Sequence, residues 1–229
     1  MPAISLDESI PTLVERRRRA SRELMRGEIL AAAQNIIRTQ GMDALSLRAL
    51  AKAVGVTAPA LYEYFSNKEA ILRALFVEGS QVMLARMEQT ILGSEPGVQR
   101  VLAVLNGYRR FAREEPDYFR LLFGTVEPPL ELSEDEYAGM KAIFGRFTGI
   151  IAEAITQGDL TQLPPETLSC SLWALVHGVA LLENDSFMAR KDFEGDGESM
   201  HFDDAMKLLL LSVATPRGAQ VIGPLENPC

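Results

Sequence analysis

Arg48, Thr57 and Glu63 carry the side chains in this sequence best suited to the edges of base pairs. An arginine can bridge the two acceptors of a guanine, a carboxylate can accept from the amino group of a cytosine, and a hydroxyl can do either. Ala58 and Ala60 stand among them and remove bulk, which permits close approach to a major groove. Tyr62 and Lys68 are spaced to reach phosphate, and Ser46, Pro59 and Tyr64 complete the same surface. With so few hydrogen-bonding side chains, base selection would also draw on backbone groups, water and DNA shape.

Two short helices joined by a tight turn must position these groups. Ser46 is an N-cap for a helix over Leu47 to Val54, where Leu50, Ala51 and Val54 mark one buried face. Gly55 takes the left-handed position that ends this helix, and Val56 drops an apolar plug into the turn. Thr57 caps the second helix, Pro59 sits in its first turn where its missing N–H costs nothing, and Leu61 and Phe65 point inward together. Ser66 with Glu69 spells a capping box for a third helix that begins near Lys68. Three helix starts would then offer N–H groups to phosphates.

Gly41, Leu45, Ser46, Arg48, Leu50, Ala51, Ala53, Gly55, Val56, Leu61, Tyr62, Tyr64, Phe65, Asn67, Lys68 and Glu69 stand at fixed spacing. Over about Arg26 to Phe76 this string resembles the DNA-binding domain of the TetR family of bacterial repressors. The resemblance implies an all-α fold: an N-terminal three-helix helix-turn-helix domain, then a C-terminal helical ligand-binding and dimerisation domain. It implies a palindromic double-stranded DNA operator, from which binding of a small-molecule effector releases the protein, with activation by the same fold as the alternative. In this family the helix after the reading head transmits ligand occupancy to it by tilting.

The 229 residues exceed one small domain, and 47% apolar with 24% charged residues suit a globular chain with a sizeable core. A net charge of −8 argues against nucleic acid until its distribution is read. Between Arg16 and Phe76 stand eleven Lys or Arg and five Asp or Glu, a net +6, whereas Val77 to Cys229 carries twelve against twenty-three, a net −11. An acidic body behind a basic head orients the molecule toward DNA, since fields fall off over roughly 10 Å in physiological salt. There is no uncharged apolar run of about 18 residues, and MPAISLDES is not a signal sequence, so a cytoplasmic protein with no membrane partner is expected. By the resemblance it is bacterial and nucleoid-associated when bound to DNA. Cys170, in an apolar helical run, and Cys229 form no disulfide framework, which suits a reduced compartment.

Residues 1–20 read as a flexible or helical basic extension, with Pro2 and Pro11 in an irregular lead. Arg16 to Arg19, Arg22 and Arg26 feed a helix whose inward positions are Ile29, Ala33, Ile36 and Ile37, closed by Gly41. The arginine run is either an arm touching phosphates or a minor groove, or a solvated helix end. Residues 21–76 make the DNA-binding domain, 77–214 the regulatory and dimerisation domain, and 215–229 a tail.

Lys68 to about Leu92 reads as one long helix with Ile71, Leu72, Leu75, Phe76, Val82, Met83 and Met87 inward, broken by Gly93, Ser94, Pro96 and Gly97. Further helices are expected over about 96–115, 117–123, 133–157, 165–183 and 199–213, with no strand-like alternation. They are joined by VEPPL at 126–130, GDLTQLPP at 158–165 and RKDFEGDGES at 190–199, the last the most mobile. PDYFRLLFG at 116–124 and LWALVHGVALL at 172–182 resemble the C-terminal regulatory domain of a TetR subgroup named for a Trp-His-Gly pattern. Here its residues are spaced as Trp173, His177 and Gly178.

A small-molecule site needs a few polar groups in an apolar, largely aromatic lining. Tyr108, Phe111, Tyr118, Phe119, Phe123, Met140, Phe144, Phe147, Trp173 and His177 supply that material, though each alone is also an ordinary core residue. Arg109, Arg110 and Arg113 read as an anion partner or a solvated face. Leu172, Leu175, Val176, Val179 and Leu182, then Leu208 to Leu211, cover more than one helix face, which implies a homodimer through a four-helix interface. His177 and His201 stand far apart, and no metal-ligand spacing or Gly-rich phosphate loop occurs. No catalytic residues, metal or cofactor are therefore expected, and a helical enzyme or a membrane-surface adaptor using the Arg16 to Arg26 run are the weaker alternatives.

Overall fold

The computed structural model describes residues 12–124, 129–184 and 202–224. The lead before Thr12, the loop at 190–199, His201 and Cys229 lie outside them. The chain divides into two compact units, Met1–Ala74 and Leu75–Cys229. Among the described residues regular structure is helical, with one isolated bridge between Leu160 and Ala214.

The first unit contains α1 (Leu13–Gln40), a 3-10 turn (Met42–Ala44), α2 (Leu47–Val54), α3 (Ala58–Tyr62) and the start of α4 (Lys68–Leu92). Thr12 and Glu15 cap each other reciprocally, with the Thr12 N–H donating to Glu15 Oε2 at 2.7 Å, so α1 begins at Leu13 and runs without a break past residue 20. The basic extension is thus helical wherever it is described. Ile29, Ala33, Leu50, Leu61 and Ile71 are fully buried and form the core on which α1 to α4 close. Ser46 caps α2 and Thr57 caps α3, and Gly55 ends α2 at φ 79°, where a side chain would be strained. The cap of α4 is Asn67, whose Oδ1 accepts from the Ala70 N–H at 2.8 Å, and not the expected Ser66. The helix starts one residue later than the capping-box pattern requires, and Glu69 instead pairs with Arg73 at 3.0 Å.

The second unit continues α4 and adds α5 (Val98–Glu114), α6 (Pro116–Phe123), α7 (Glu134–Thr156), α8 (Pro165–Asn184), α9 (Phe202–Val213) and α10 (Pro216–Ile222). α5 is the central helix, packed against α6, α7, α8, α9 and α10. Its stripe of Val98, Val101, Val104, Leu105, Tyr108, Phe111 and Ala112 is buried. α8 buries Leu168, Leu172, Val176, Val179 and Ala180 on one side and leaves Cys170, Trp173, Leu181 and Leu182 exposed on the other. By length and composition α8 alone among the described helices could cross a membrane, and a third of it is buried in the unit.

The residues after 215, expected as a tail, begin with α10. Thr215 and Pro216 occupy the N-cap and first-turn positions that start a helix, and Ile222 is buried. α10 is fastened by Asp159, which is 3% exposed. Its Oδ2 accepts from the first N–H of α5, Val98, at 3.1 Å, while Arg217 Nε lies 3.1 Å from Oδ1. The Thr215 N–H donates to the Asp159 carbonyl at 2.9 Å. Gly218 lies directly over that carbonyl, and a Cβ there would stand 2.0 Å from it. One buried carboxylate thereby joins the start of α5, the α7–α8 connection and α10.

Asp159→Ala leaves the Val98 N–H buried without an acceptor, and should cost about 2 kcal/mol. That corresponds to a fall of roughly 4–8 °C in the unfolding midpoint, followed by circular dichroism. Gly218→Ala should act in the same direction through the backbone clash. Unchanged midpoints in both variants would refute the junction.

Candidate DNA interface and body cavity

In the first unit α3 is only five residues long, too short to persist alone, so its surroundings must hold it. Two arginines of α1 do so. Arg22 Nη2 donates to the Glu63 carbonyl at 2.9 Å, and Arg26 Nη1 to the Tyr64 carbonyl at 3.3 Å. Arg26 also lies over the Phe65 ring at 4.2 Å, and Arg22 lies 6.0 Å from the Tyr64 ring centroid. Cations thus meet the negative, carbonyl end of α3. From sequence these arginines read as contacts to phosphate or a minor groove, as a membrane-surface patch or as solvated charge, and not as supports for α3. A signal was available: residues 22, 26, 29 and 33 repeat at helical spacing, so both arginines extend the stripe of Ile29 and Ala33.

Of the remaining surface residues, Arg48, Ala58, Pro59, Tyr62 and Glu63 are exposed. The Ser46 hydroxyl accepts from the Ala49 N–H at 3.1 Å and the Thr57 hydroxyl from the Ala60 N–H at 3.4 Å, both as caps. Ala60, Tyr64 and Lys68 are half-buried, and Lys68 Nζ donates to the Met42 carbonyl at 3.0 Å, tying the 3-10 turn to α4. Arg16, Arg17 and Arg18 are exposed along the start of α1, while Arg19 pairs with Glu23 at 2.9 Å.

In the second unit a cavity of about 540 Å³, counting the part open to solvent, lies between α4, α5, α7 and α8. Of the aromatic residues singled out from sequence, Tyr108, Phe111, Phe144 and Phe147 line it. α4 contributes Met83, Arg86, Met87 and Thr90, of which the sequence reading marked Met83 and Met87 as inward positions only. Tyr118, Phe119, Phe123, Met140, Trp173 and His177 are not on its wall. Tyr118 is buried against α4, where a Cβ on Gly79 would stand 2.7 Å from its ring. Burial, with Glu78 next in effect, pushes its phenol well above the ordinary value.

The other aromatic residues form a second cluster around Tyr108. The Tyr108 hydroxyl is 2.8 Å from His177 Nδ1. Trp173 stacks on His177 at 5.3 Å, and Phe119 and Phe123 pack against the imidazole at 5.6 and 5.4 Å. Desolvation lowers the His177 pKa, so the neutral ring is favoured, and its tautomer sets which of Nδ1 and the Tyr108 hydroxyl donates. Tyr108 therefore belongs both to the cavity wall and to a cluster that ends at Trp173, 37% exposed on the outer face of α8. Arg109, read as an anion partner or solvated, is 6% exposed and paired bidentately with Glu183 of α8. Arg110 is exposed, and Arg113 stands 3.9 Å from Glu183.

A family model described as bacterial regulatory proteins of the tetR family matches residues 29–75, and a tetracyclin repressor-like C-terminal domain matches 101–202. YobS of Bacillus subtilis, an uncharacterized HTH-type transcriptional regulator, is 31% identical over 184 residues, spanning 70% of this chain and 94% of that protein. The chain belongs to the TetR family of transcriptional regulators. The HTH-type transcriptional regulator Rv1816 of Mycobacterium tuberculosis is 28% identical over 149 residues, and the match spans 63% of each protein. The fatty acid metabolism regulator protein of Bacillus subtilis is 27% identical over 138 residues, covering 59% of this chain and 70% of that one. Among solved structures, a Rhodococcus sp. RHA1 protein of unknown function has the same fold, with TM-score 0.71, 24% identity and coverage of 83% and 96% of the two chains. A tetR-family regulatory protein from Rhodococcus RHA1 shares it at TM-score 0.63 and 19% identity, covering 82% and 96%. The α2–α3 surface is thus the helix-turn-helix of a TetR-family regulator, and α5 to α8 fall within the match to its C-terminal domain.

Two expectations follow for this TetR-family protein. Arg26→Ala should lower head stability and DNA affinity by about 1 kcal/mol, several-fold in affinity, through the lost support of α3. The slope of log affinity against log salt should stay unchanged, and a slope shallower by about 0.9 would mark Arg26 as a phosphate contact instead. Burial disfavours the charged form of His177 in the fold, so its contribution to stability is present above its ordinary pKa of 6.5 and is lost as pH falls below it. Between about pH 8 and pH 5 the body's unfolding midpoint should fall more in wild type than in His177→Gln. Parallel curves would show that His177 is not the titrating group.

Proposed function

We propose that the protein is a homodimeric transcriptional repressor that binds a palindromic operator through Arg48, Thr57, Tyr62 and Glu63, and that an effector held in the body cavity releases it. The observation that carries this reading is the two-sidedness of α8. One side supplies Val176 to the cavity wall, and the other carries Trp173, Leu181 and Leu182, 37%, 48% and 42% exposed. With Leu208 of α9, 59% exposed, these residues form an apolar surface suited to a second copy about a two-fold axis. A ligand in the cavity acts on the helix that carries the partner face, so its occupancy can alter the spacing of two heads on a palindrome. The membrane-competent composition of α8 is read in the same way, as a helix covered on one side by its own unit and on the other by its copy. The reading assigns no catalytic step, metal or cofactor. Base selection is assigned to Arg48, Thr57 and Glu63. Lys68, held by the Met42 carbonyl, keeps two N–H donors with which to meet phosphate.

Light scattering at micromolar concentration should give a dimer, and Leu181→Glu with Leu208→Glu should give a folded monomer with greatly weakened operator binding. Effector and operator should weaken each other by the same factor, a coupling of about 1–3 kcal/mol. A stable wild-type monomer refutes the dimer, and effector binding that strengthens operator affinity refutes release.

A further inference from the structure

The cavity that holds the effector in the proposed function has a polar inventory already committed within the protein. Arg86 is gripped by two carboxylates, Glu114 on Nη1 and Glu115 on Nη2. The Thr90 hydroxyl donates to the Arg86 carbonyl at 2.9 Å. The Tyr108 hydroxyl is engaged with His177, and burial drives its pKa far up, which keeps it neutral. The rest of the wall is aliphatic, thioether and aromatic, including Met87, Phe111, Phe144 and Phe147.

An ionised group entering this space meets partners that are already paired. A carboxylate meets a guanidinium that two acids already neutralise, and it would approach against the surplus negative charge of that trio. An ammonium finds no carboxylate on the cavity wall, where Glu114 and Glu115 are turned to Arg86 and do not line the space. Burying a charge without a matched partner is unfavourable, and breaking a pair to supply one leaves another group exposed to the same cost. Flexible methionines and aromatic rings, by contrast, adapt to apolar ligands of varied shape. We propose that the effector site selects an uncharged, predominantly apolar molecule, bound by Met and aromatic packing, and rejects an acid or amine of the same hydrocarbon framework.

This inference rests on the proposed role of the cavity, and the test separates the two. Decanol, decanoate and decylammonium share one chain and differ in head group. Each is titrated below its micellar concentration into the full-length protein by calorimetry. The same titrations are run on Met87→Trp and Phe144→Trp, which fill the cavity from α4 and from α7, where Phe144 is 37% exposed and tolerates bulk. Circular dichroism establishes that both variants are folded, and either one suffices. The expected result is saturable decanol binding at least about tenfold tighter than either ion, lost in a filled variant. Decanoate or decylammonium binding as tightly as decanol, and likewise lost on filling, overturns the ligand class while keeping the cavity as the site. Absence of binding by all three, or binding indifferent to both substitutions, overturns the cavity reading and this inference with it.

Discussion

The body of this protein depends on the seam between α5 and α8. Two helices facing each other through valine, leucine and alanine alone could slide by a turn at little cost, because apolar contact is not directional. The seam contains two directional links instead. Arg109 and Glu183, with side chains 8% and 11% exposed, form a bidentate pair, and the neighbouring Tyr108 bonds to His177. Burying such a pair costs about as much as it returns, so its contribution is better sought in register than in net stability. Once α5 is set against α8, the cavity, the aromatic cluster and the outer face of α8 follow from which residues are neighbours along two helices.

Tyr108 stands where these features meet. Its ring faces the cavity with Phe111 and Phe147, and its hydroxyl ends in a group formed by Trp173 and His177. An apolar wall built only of leucine would transmit little, since packing can relax in many directions. The Tyr108 hydroxyl is tied directionally to His177, on which Trp173 stacks, while its ring packs on Phe119 and Phe123.

The head solves a different problem, that of keeping a five-residue helix in place with little core beneath it. Leu61 and Phe65 supply the apolar contact, Thr57 closes the start, and Arg22 and Arg26 reach across from α1 to the carbonyls at the end. The reading surface keeps its alanines because its stability comes from the opposite side. Arginines that would be counted as DNA contacts on charge alone serve here as supports for the helix that makes them.

Local patterns were sufficient for the helical class, for the α2–Gly55–α3 turn, for most helix bounds within a few residues and for family membership, because caps, glycine turns and apolar spacing act over one or two turns of chain. They also marked Met83 and Met87 as inward and α8 as too apolar for one-sided burial. They did not reveal that Asn67 caps α4, because two capping side chains stand one residue apart and only packing decides which is used. Nor did they reveal that Thr215 opens a helix, that Arg109 meets Glu183, that Arg26 meets Phe65, or that the aromatic residues of the body divide between a cavity wall and a separate cluster. The Arg109–Glu183 and Arg26–Phe65 pairings join residues 74 and 39 positions apart. Periodicity determines which face of a helix is inward, but which residue lies opposite is set by how the helices cross, and that only the tertiary structure decided.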